Sequence, residues 1–349
     1  MEAAYRCVAE LLNTDPDQIT FGPSTTLNFY VLAQAIRHDL NVGDEVIVTN
    51  QDHEANIGCW RRLSEFGLVL REWRIDPQSG ELNIEDLKDL VTSRTRLVCF
   101  TLCSNIVGTM NDVKAINDIA HSAGALSVAD GVSFAPHRLI DINKLGVDLY
   151  LFSTYKTFGT HIGVMWGRKE VLAKLECQGH YFNSENPHYR LNPTGPLHAE
   201  IAALAGLGEY YDALYEKHFA DDNPSRHERG IRLFDLFGEH ESRLANQLLD
   251  TLRELPGLRI IGQPHATPRR RAATIAFIPA EKKPSQVVKQ LAEKRIAVRN
   301  GHFYARRCIE ALGLAEPEEG IIRVSLVHYN TEEEVNRLLV ALRALLQIS

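Results

Sequence analysis

The sequence predicts an α/β protein, with a mainly parallel sheet in a large first domain and a smaller α/β domain toward the C-terminus. Through the first half, short apolar, β-branched segments alternate with longer helical patterns, the rhythm of crossover β-α-β units. After residue 190 the pattern changes to long helices, short apolar segments and a final helix. Between the two regimes, the polar stretch ADDNPSRHERG at 220–230 reads as an elbow. It places a boundary near 225, giving domains 1–225 and 226–349, with an inter-domain helix near the end of the first.

The expected strands of the first domain are EVIVTN at 45–50, LVLREW at 68–73, TRLVCFTL at 95–102, ALSVAD at 125–130, LYLFST at 149–154 and IGVMWG at 162–167. Helices are expected at 24–38, 54–66, 84–91 and 111–122. A long helix covers 197–218 and another 231–254. LRIIG, RAATIAFIP, IAVRNG and IIRVSL then read as strands, with helices near 284–294 and from 331 onward. In folds of this kind ligands gather where strand ends meet helix starts.

Composition narrows the function classes. The 349 residues carry a net charge of -7 and are 44% hydrophobic and 24% charged, values of an ordinary globular protein. The acidic balance argues against a general nucleic-acid surface. Arg269, Arg270 and Arg271 form a local basic patch, read as solvated surface or as an anion contact. No apolar run reaches the roughly 20 residues that span a membrane. The opening MEAAYRCVAELL reads as a helix and lacks the marks of a secretion signal. Cysteines at 7, 59, 99, 103, 177 and 308 form no metal pattern and fit free thiols in a reducing cytoplasm.

Chemistry concentrates at strand ends. Lys156 directly follows a buried-strand pattern and precedes a Gly-containing loop. It is either a snorkelling or edge lysine or an amine held beside an aldehyde, with its charge discouraged. Asp130 closes the preceding strand, 26 residues earlier, so both can face one crevice. It is either a cap or turn residue or a carboxylate keeping a pyridine nitrogen protonated. In FGPSTTLNF, Ser24, Thr25 and Thr26 open a helix whose free N–H groups suit a phosphate, although they also suit ordinary capping. Neither a P-loop nor a dinucleotide fingerprint is present, which disfavours a nicotinamide-dependent dehydrogenase.

His53 and Asn56 follow another strand. His53 either stacks on a flat cofactor and handles a proton near neutral pH or simply starts a helix. Asn105 either bonds a cofactor's phenolic oxygen or serves a turn. Arg299 and Arg323 lie in or beside apolar strand patterns. Each is either a structural ion pair or a bidentate carboxylate binder. Arg323 is preferred for the substrate carboxylate, with Arg299 orienting a loop or touching substrate.

The ordered set GPSTT, DHEANIGCW, SNIVGT, DGVSFAPH, FSTYKTFG, AVRNGHFY and RVSLVHYNT resembles the class V aminotransferase and cysteine desulfurase family of pyridoxal-phosphate enzymes, over nearly the whole chain. The resemblance implies the aspartate-aminotransferase-like fold and pyridoxal 5'-phosphate as cofactor. It further implies a phosphate cup of Thr25, Thr26, Ser153 and Tyr155, and His53 over the ring. Asn105 and Ser133 would lie near the phenolic oxygen, Asp130 at the ring nitrogen, and Lys156 would be the Schiff-base lysine. Arg323 falls at the substrate-carboxylate position. A homodimer with interface active sites is implied too, with Thr194-Gly195 reaching toward the partner's cofactor, although the familiar Gly-Thr order is reversed.

The departures matter for the reaction. Tyr304 stands where related desulfurases carry the sulfur-receiving cysteine, and Cys308 lies four residues later. Such a chain resembles a desulfurase-like branch lacking this cysteine. Tyr155 replaces a common histidine and Ser133 a common glutamine. The chain also starts about fifty residues late relative to typical relatives. The expectation is an enzyme in which Lys156, His53 and Asp130 are catalytic and an amino acid's amine displaces Lys156, in an aminotransferase-like or C–S lyase-like reaction. The alternatives are a cysteine desulfurase using an unconventional thiol, or a catalytically reduced binding protein. No metal is expected.

Overall fold

The computed structural model describes residues 1–220 and 224–346. Eleven strands appear among them: β1 (Ile19–Gly22), β2 (Glu45–Thr49), β3 (Val69–Trp73), β4 (Thr95–Thr101), β5 (Leu126–Asp130), β6 (Leu149–Ser153), β7 (Gly163–Gly167), β8 (Leu258–Ile261), β9 (Thr274–Pro279), β10 (Arg299–Gly301) and β11 (Ile321–Ser325). The first seven form one sheet in the order β1-β7-β6-β5-β4-β2-β3. Only β7 runs opposite to its neighbours; β2 to β6 are parallel where they pair. This is the mainly parallel sheet expected. Its central strands are buried along nearly their whole length, because helices cover both faces and leave no solvated side. Two apolar clusters fill the layers, one around Phe21, Phe100, Tyr150 and Trp166, the other around Phe29, Trp60, Leu97 and Met165.

The C-terminal domain has a four-stranded sheet, β10-β11-β9-β8, entirely antiparallel. The helices Arg226–Glu254 and Glu332–Leu346 cover it through Leu244, Leu248, Leu338 and Leu342. A large α/β domain with a smaller C-terminal one is therefore the observed architecture.

Several boundaries differ from expectation for local reasons. The helix expected over 197–218 is broken into His198–Ala202 and Ala205–His218. The one expected over 54–66 ends as an α-helix at Arg61 and tightens to a 3₁₀ turn over Arg62–Phe66, closed by Gly67 at φ 83°. Of the polar elbow at 220–230, residues 221–223 lie outside the described residues, and its second half is already helix. There Ser225 and Glu228 form a capping box that starts the helix at Arg226.

The basic triplet also divides. Arg269 and Arg270 are exposed, whereas Arg271 is 1% exposed and donates to the carbonyls of Ile261, Gln263 and Thr274. Arg271 is thus neither solvated nor an anion contact. A guanidinium carries five donors in a fixed fork, enough to serve several carbonyls that would otherwise be orphaned. The same stretch ties the two domains. Thr109 bridges Arg271, and Met110 N–H and Ala272 N–H bond Arg270 O and Gly108 O at 2.9 Å each. Gly108 permits this approach, since a Cβ there would stand 2.3 Å from Thr274 O at a φ of +74°.

Candidate active site

Parallel pairing fixes where the chemistry lies. Thr101 is in register with Asp130, and Asp130 with Leu151. The C-terminal ends of β4, β5 and β6 therefore open on one edge of the sheet. Thr101, Asp130 and Ser153 end their strands there, and the 3₁₀ turn Thr154–Thr157 carries Lys156 directly beyond. One pocket at this edge is lined by Ser24, Thr25, Thr26, His53, Asn105, Asp130, Ser133, Ser153, Tyr155 and Lys156, together with Ala55, Thr101, Val132 and His161. An outer mouth shares Thr26, His53, Asn105, Tyr155 and Lys156 and adds Arg299, Phe303, Tyr304 and Arg323. Nearly all the residues singled out in the sequence thus converge.

The helix Thr25–Arg37 supplies one wall. Ser24 caps it, accepting from Leu27 N–H at 3.1 Å, while the other first-turn N–H groups have no acceptor within the helix. Thr25 Oγ1 lies 2.7 Å from Phe152 O and 2.6 Å from Ser153 Oγ, locking the helix start to the end of β6. Gly163 on β7 makes the fit possible, because a Cβ there would sit 2.4 Å from Thr25 N. A helix N-terminus with two adjoining hydroxyls suits a phosphate dianion.

Asp130 forms the buried end. Its Oδ1 accepts from Val132 N–H at 2.8 Å. Burial pushes its carboxyl up to about 6, against the opposing pull of the Val132 N–H and Lys156. Asp52, buried behind it, is pushed to about 7 by burial and by Asp130, although Thr49 and Asn56 hydrogen-bond it. Lys156 is held below the ordinary lysine value by burial and by Arg323, with Asp130 and Cys103 opposing. A lysine so placed spends more time as the neutral nucleophile.

His53 differs from expectation in one respect. Its Nδ1 caps the helix Glu54–Arg61 by accepting from Ala55 N–H at 3.1 Å. Burial, Lys156 and Arg323 drive its pKa down to about 4. It is both the helix-start histidine and a member of the pocket. It is neutral at pH 7, so the expected titration near neutrality is not found. Asn56 turns away, bonding Asp52 and Trp60.

The mouth joins the two domains. Arg323 on β11 is paired in register with Arg299 on β10. Its guanidinium lies 3.8 Å from the centroid of the Phe303 ring and donates to Asn105 O at 2.9 Å. No carboxylate neutralises it among the described residues; burial and Arg299 lower it to about 10. An arginine without a built-in counter-ion is equipped to take a ligand's carboxylate. Asn105 Nδ2 donates to Phe303 O at 2.9 Å, while its buried Oδ1 has no partner. Glu54 N–H donates to Tyr304 O at 2.7 Å, and the Tyr304 ring lies 5.5 Å from that of His53.

Thr194 and Gly195 are exposed and do not line the pocket of their own chain. Thr101, His161 and Phe303 were not anticipated. The ring of His161 stacks on Tyr155 at 4.8 Å and 2°. No cysteine lines the pocket or its mouth. Cys308 is fully buried, with its thiol pushed to about 12 by burial. Both features disfavour it as the unconventional thiol. All six cysteines are unpaired, no group of metal-ligating side chains gathers among the described residues, and no helix there is long and apolar enough to cross a membrane.

The donor set fits pyridoxal 5'-phosphate. A helix start with hydroxyls faces the phosphate, a deeply buried carboxylate suits a protonated ring nitrogen, and a charge-suppressed amine suits the aldehyde. The orphaned Asn105 Oδ1 points to a polar occupant of the same space.

Comparison with known proteins agrees. Residues 1–338 match the family described as aminotransferase class-V. The chain is 38% identical over 350 residues to aminotransferase-like protein FGM3 of Gibberella zeae, covering 98% of this chain and 82% of that one. It is 31% identical over 337 residues to cysteine desulfurase-like protein ustD of Aspergillus flavus, covering 94% and 73%. Among solved structures it superimposes on the cysteine desulfurase CsdA of Escherichia coli with a TM-score of 0.82 at 28% identity, covering 99% and 83%. This chain therefore belongs to the class-V aminotransferase family and is an enzyme of the aminotransferase and desulfurase superfamily whose cofactor is pyridoxal 5'-phosphate.

Proposed function

We propose that the enzyme breaks the Cβ–S bond of a cysteine-type amino acid and passes the sulfur to an acceptor outside this chain. With cysteine and an external thiol RSH, the products are alanine and RSSH, so atoms and electrons balance. The observation that carries this reading is the gathering of Lys156, Asp130 and Arg323 around one cavity in a chain that superimposes on a cysteine desulfurase. It moves the balance from the aminotransferase-like expectation toward desulfuration, without a thiol of the enzyme.

When bound, the cofactor withdraws electrons from the substrate's Cα, which lets a proton leave there and a substituent leave from Cβ. Thr25, Thr26, Ser153 and Tyr155 hold its phosphate in this reading, and Asn105 and Ser133 its phenolic oxygen. Asp130 keeps the ring nitrogen protonated. Lys156 Nζ anchors the cofactor in the resting enzyme and, once released, moves the Cα proton. His53 presents a neutral flat face. Arg323 grips the substrate carboxylate, and Arg299 lies beside it. Further parts of the reading are a split near residue 225, a homodimer whose Thr194-Gly195 segment reaches the partner's site, and a cytoplasmic setting that suits six free thiols.

The cofactor-loaded enzyme, given cysteine and a small dithiol, is expected to release alanine and sulfide in equal amounts. Cys308→Ala retains this activity; Lys156→Ala loses both it and the visible band of the lysine-bound cofactor. Keto acid formed without sulfide would favour an aminotransferase. That second reading rests on the cysteine-free pocket and the aminotransferase-like relative.

A further inference from the structure

His328, in the segment RVSLVHYNT, has no part in the chemistry above, yet its surroundings are built with care. It lies three residues beyond the end of β11, the strand that carries Arg323. Its ring stacks on Phe237 at 4.0 Å and 11°, and meets the edge of Phe158 at 4.8 Å and that of Tyr329 at 5.2 Å. Its Nε2 shares a 2.8 Å hydrogen bond with the Tyr210 hydroxyl, and its buried Nδ1 has no partner. Burial, then His240, lowers its pKa to about 4, which favours the neutral ring at pH 7.

Two of these contacts lead to Lys156. Phe158 closes the 3₁₀ turn that carries the lysine, and does so at φ 72°, a conformation that side chains other than glycine's rarely adopt. Packing must therefore hold it there. Tyr211, next to Tyr210 on the helix Ala205–His218, donates its hydroxyl to Thr157 O at 2.8 Å in the same turn. Adjacent tyrosines on one helix thus grip the lysine turn and the histidine following the arginine strand.

We infer that His328 is a positioning residue: with Phe158 and Tyr210 it latches the end of the Arg323 strand to the Lys156 turn, fixing the lysine amine relative to the cofactor. The Tyr210 hydrogen bond sets the His328 ring against Phe158, and the latch reaches the lysine turn through Phe158, since His328 does not line the pocket. The inference rests on Lys156 being the cofactor-bearing amine, and is independent of which substrate is used.

The test is a pH titration of the visible band of the cofactor-loaded enzyme, with thermal unfolding measured alongside. Tyr210→Phe removes one hydroxyl from a half-buried ring, and His328→Phe retains the aromatic packing while deleting the bond. Each is expected to move the band's midpoint by about half a pH unit while leaving the unfolding temperature nearly unchanged. The double variant should match either single one, because both delete the same bond. Wild-type midpoints in both single variants overturn the latch, as does a double variant showing the sum of two shifts. Should His328→Phe fail to fold, Tyr210→Phe decides alone. A Lys156→Ala protein that keeps its visible band overturns the lysine assignment instead, which separates the two failures.

Discussion

Replacing Asp130 by asparagine in the cofactor-free enzyme should stabilise it at neutral pH and leave it unchanged in acid. The folded carboxyl titrates at about 6 against an ordinary 3.8. At 1.36 kcal/mol per pH unit, that gap corresponds to about 3 kcal/mol. The sign follows from proton binding. A raised carboxyl pKa means that the folded state holds the proton more tightly than the unfolded chain does. The contribution of this group to stability is therefore greatest below about 3.8, declines as pH rises to about 6, and stays lowered above that. Asparagine carries no charge at any of these pH values and can still accept from Val132 N–H. Water entering the pocket screens the buried charge, so the expected gain at pH 7.5 is about 1–3 kcal/mol, fading to nothing near pH 4. Urea unfolding of both proteins, stripped of cofactor and measured between pH 4 and 8, reads this directly. A difference independent of pH would refute the reasoning, since it would come from packing and not from ionisation. Loading the cofactor should reverse the order, because a protonated ring nitrogen stabilises the aspartate's charge but not the amide.

Arg323→Ala is expected to raise KM for an amino-acid substrate about 10- to 100-fold through loss of a charge-assisted bond to the carboxylate, read from initial rates. Gly163→Ala should displace the start of the helix Thr25–Arg37, since the new Cβ meets Thr25 N and Ser24 C at 2.4 Å. The expected result is about 1–3 kcal/mol less stability and weaker cofactor retention on gel filtration. Arg271→Met removes a buried guanidinium and strands the carbonyls of Ile261 and Gln263. It should cost about 2–5 kcal/mol in denaturant unfolding, a loss that added salt does not mimic because the group is sealed from solvent.

Asp130 and Lys156 were legible in the sequence because each follows an apolar segment of strand length and consecutive parallel strands share an exit edge. Once those two are placed, the end of β6 and the start of the helix at Thr25 follow. His161 was not legible. It enters because β7 reverses against β6, a pairing that periodicity does not disclose, and only the turn between them brings its ring onto Tyr155. Phe303, and the backbone setting of the Tyr304 named from the sequence, escape for a related reason. Both adopt positive φ, 47° and 60°, and their carbonyls are held by Asn105 and Glu54 from distant parts of the chain. Arg271 misleads because a run of three arginines reads as surface, while the bridge to Thr109 pulls only the last inside. Local pattern fixes side chains at the ends of regular elements; those positioned by long-range pairing need the folded chain.

The electrostatics of the pocket give the two domains a chemical reason to meet. Arg323 disfavours the positive charge of Lys156, and both lower His53. Arg323 comes from the small domain, so part of the suppression of the lysine's charge is supplied across the domain boundary. A substrate carboxylate seated on Arg323 cancels that contribution. The amine of Lys156 then becomes a stronger base when an amino acid is bound, which is when a proton must be taken from Cα. His53 is the weaker base of the two, because its Nδ1 is committed to Ala55 N–H and its pKa is lowered to about 4. In the proposed reaction, proton transfer at Cα falls to the lysine, and the arginine proposed to bind substrate contributes to the lysine's basicity.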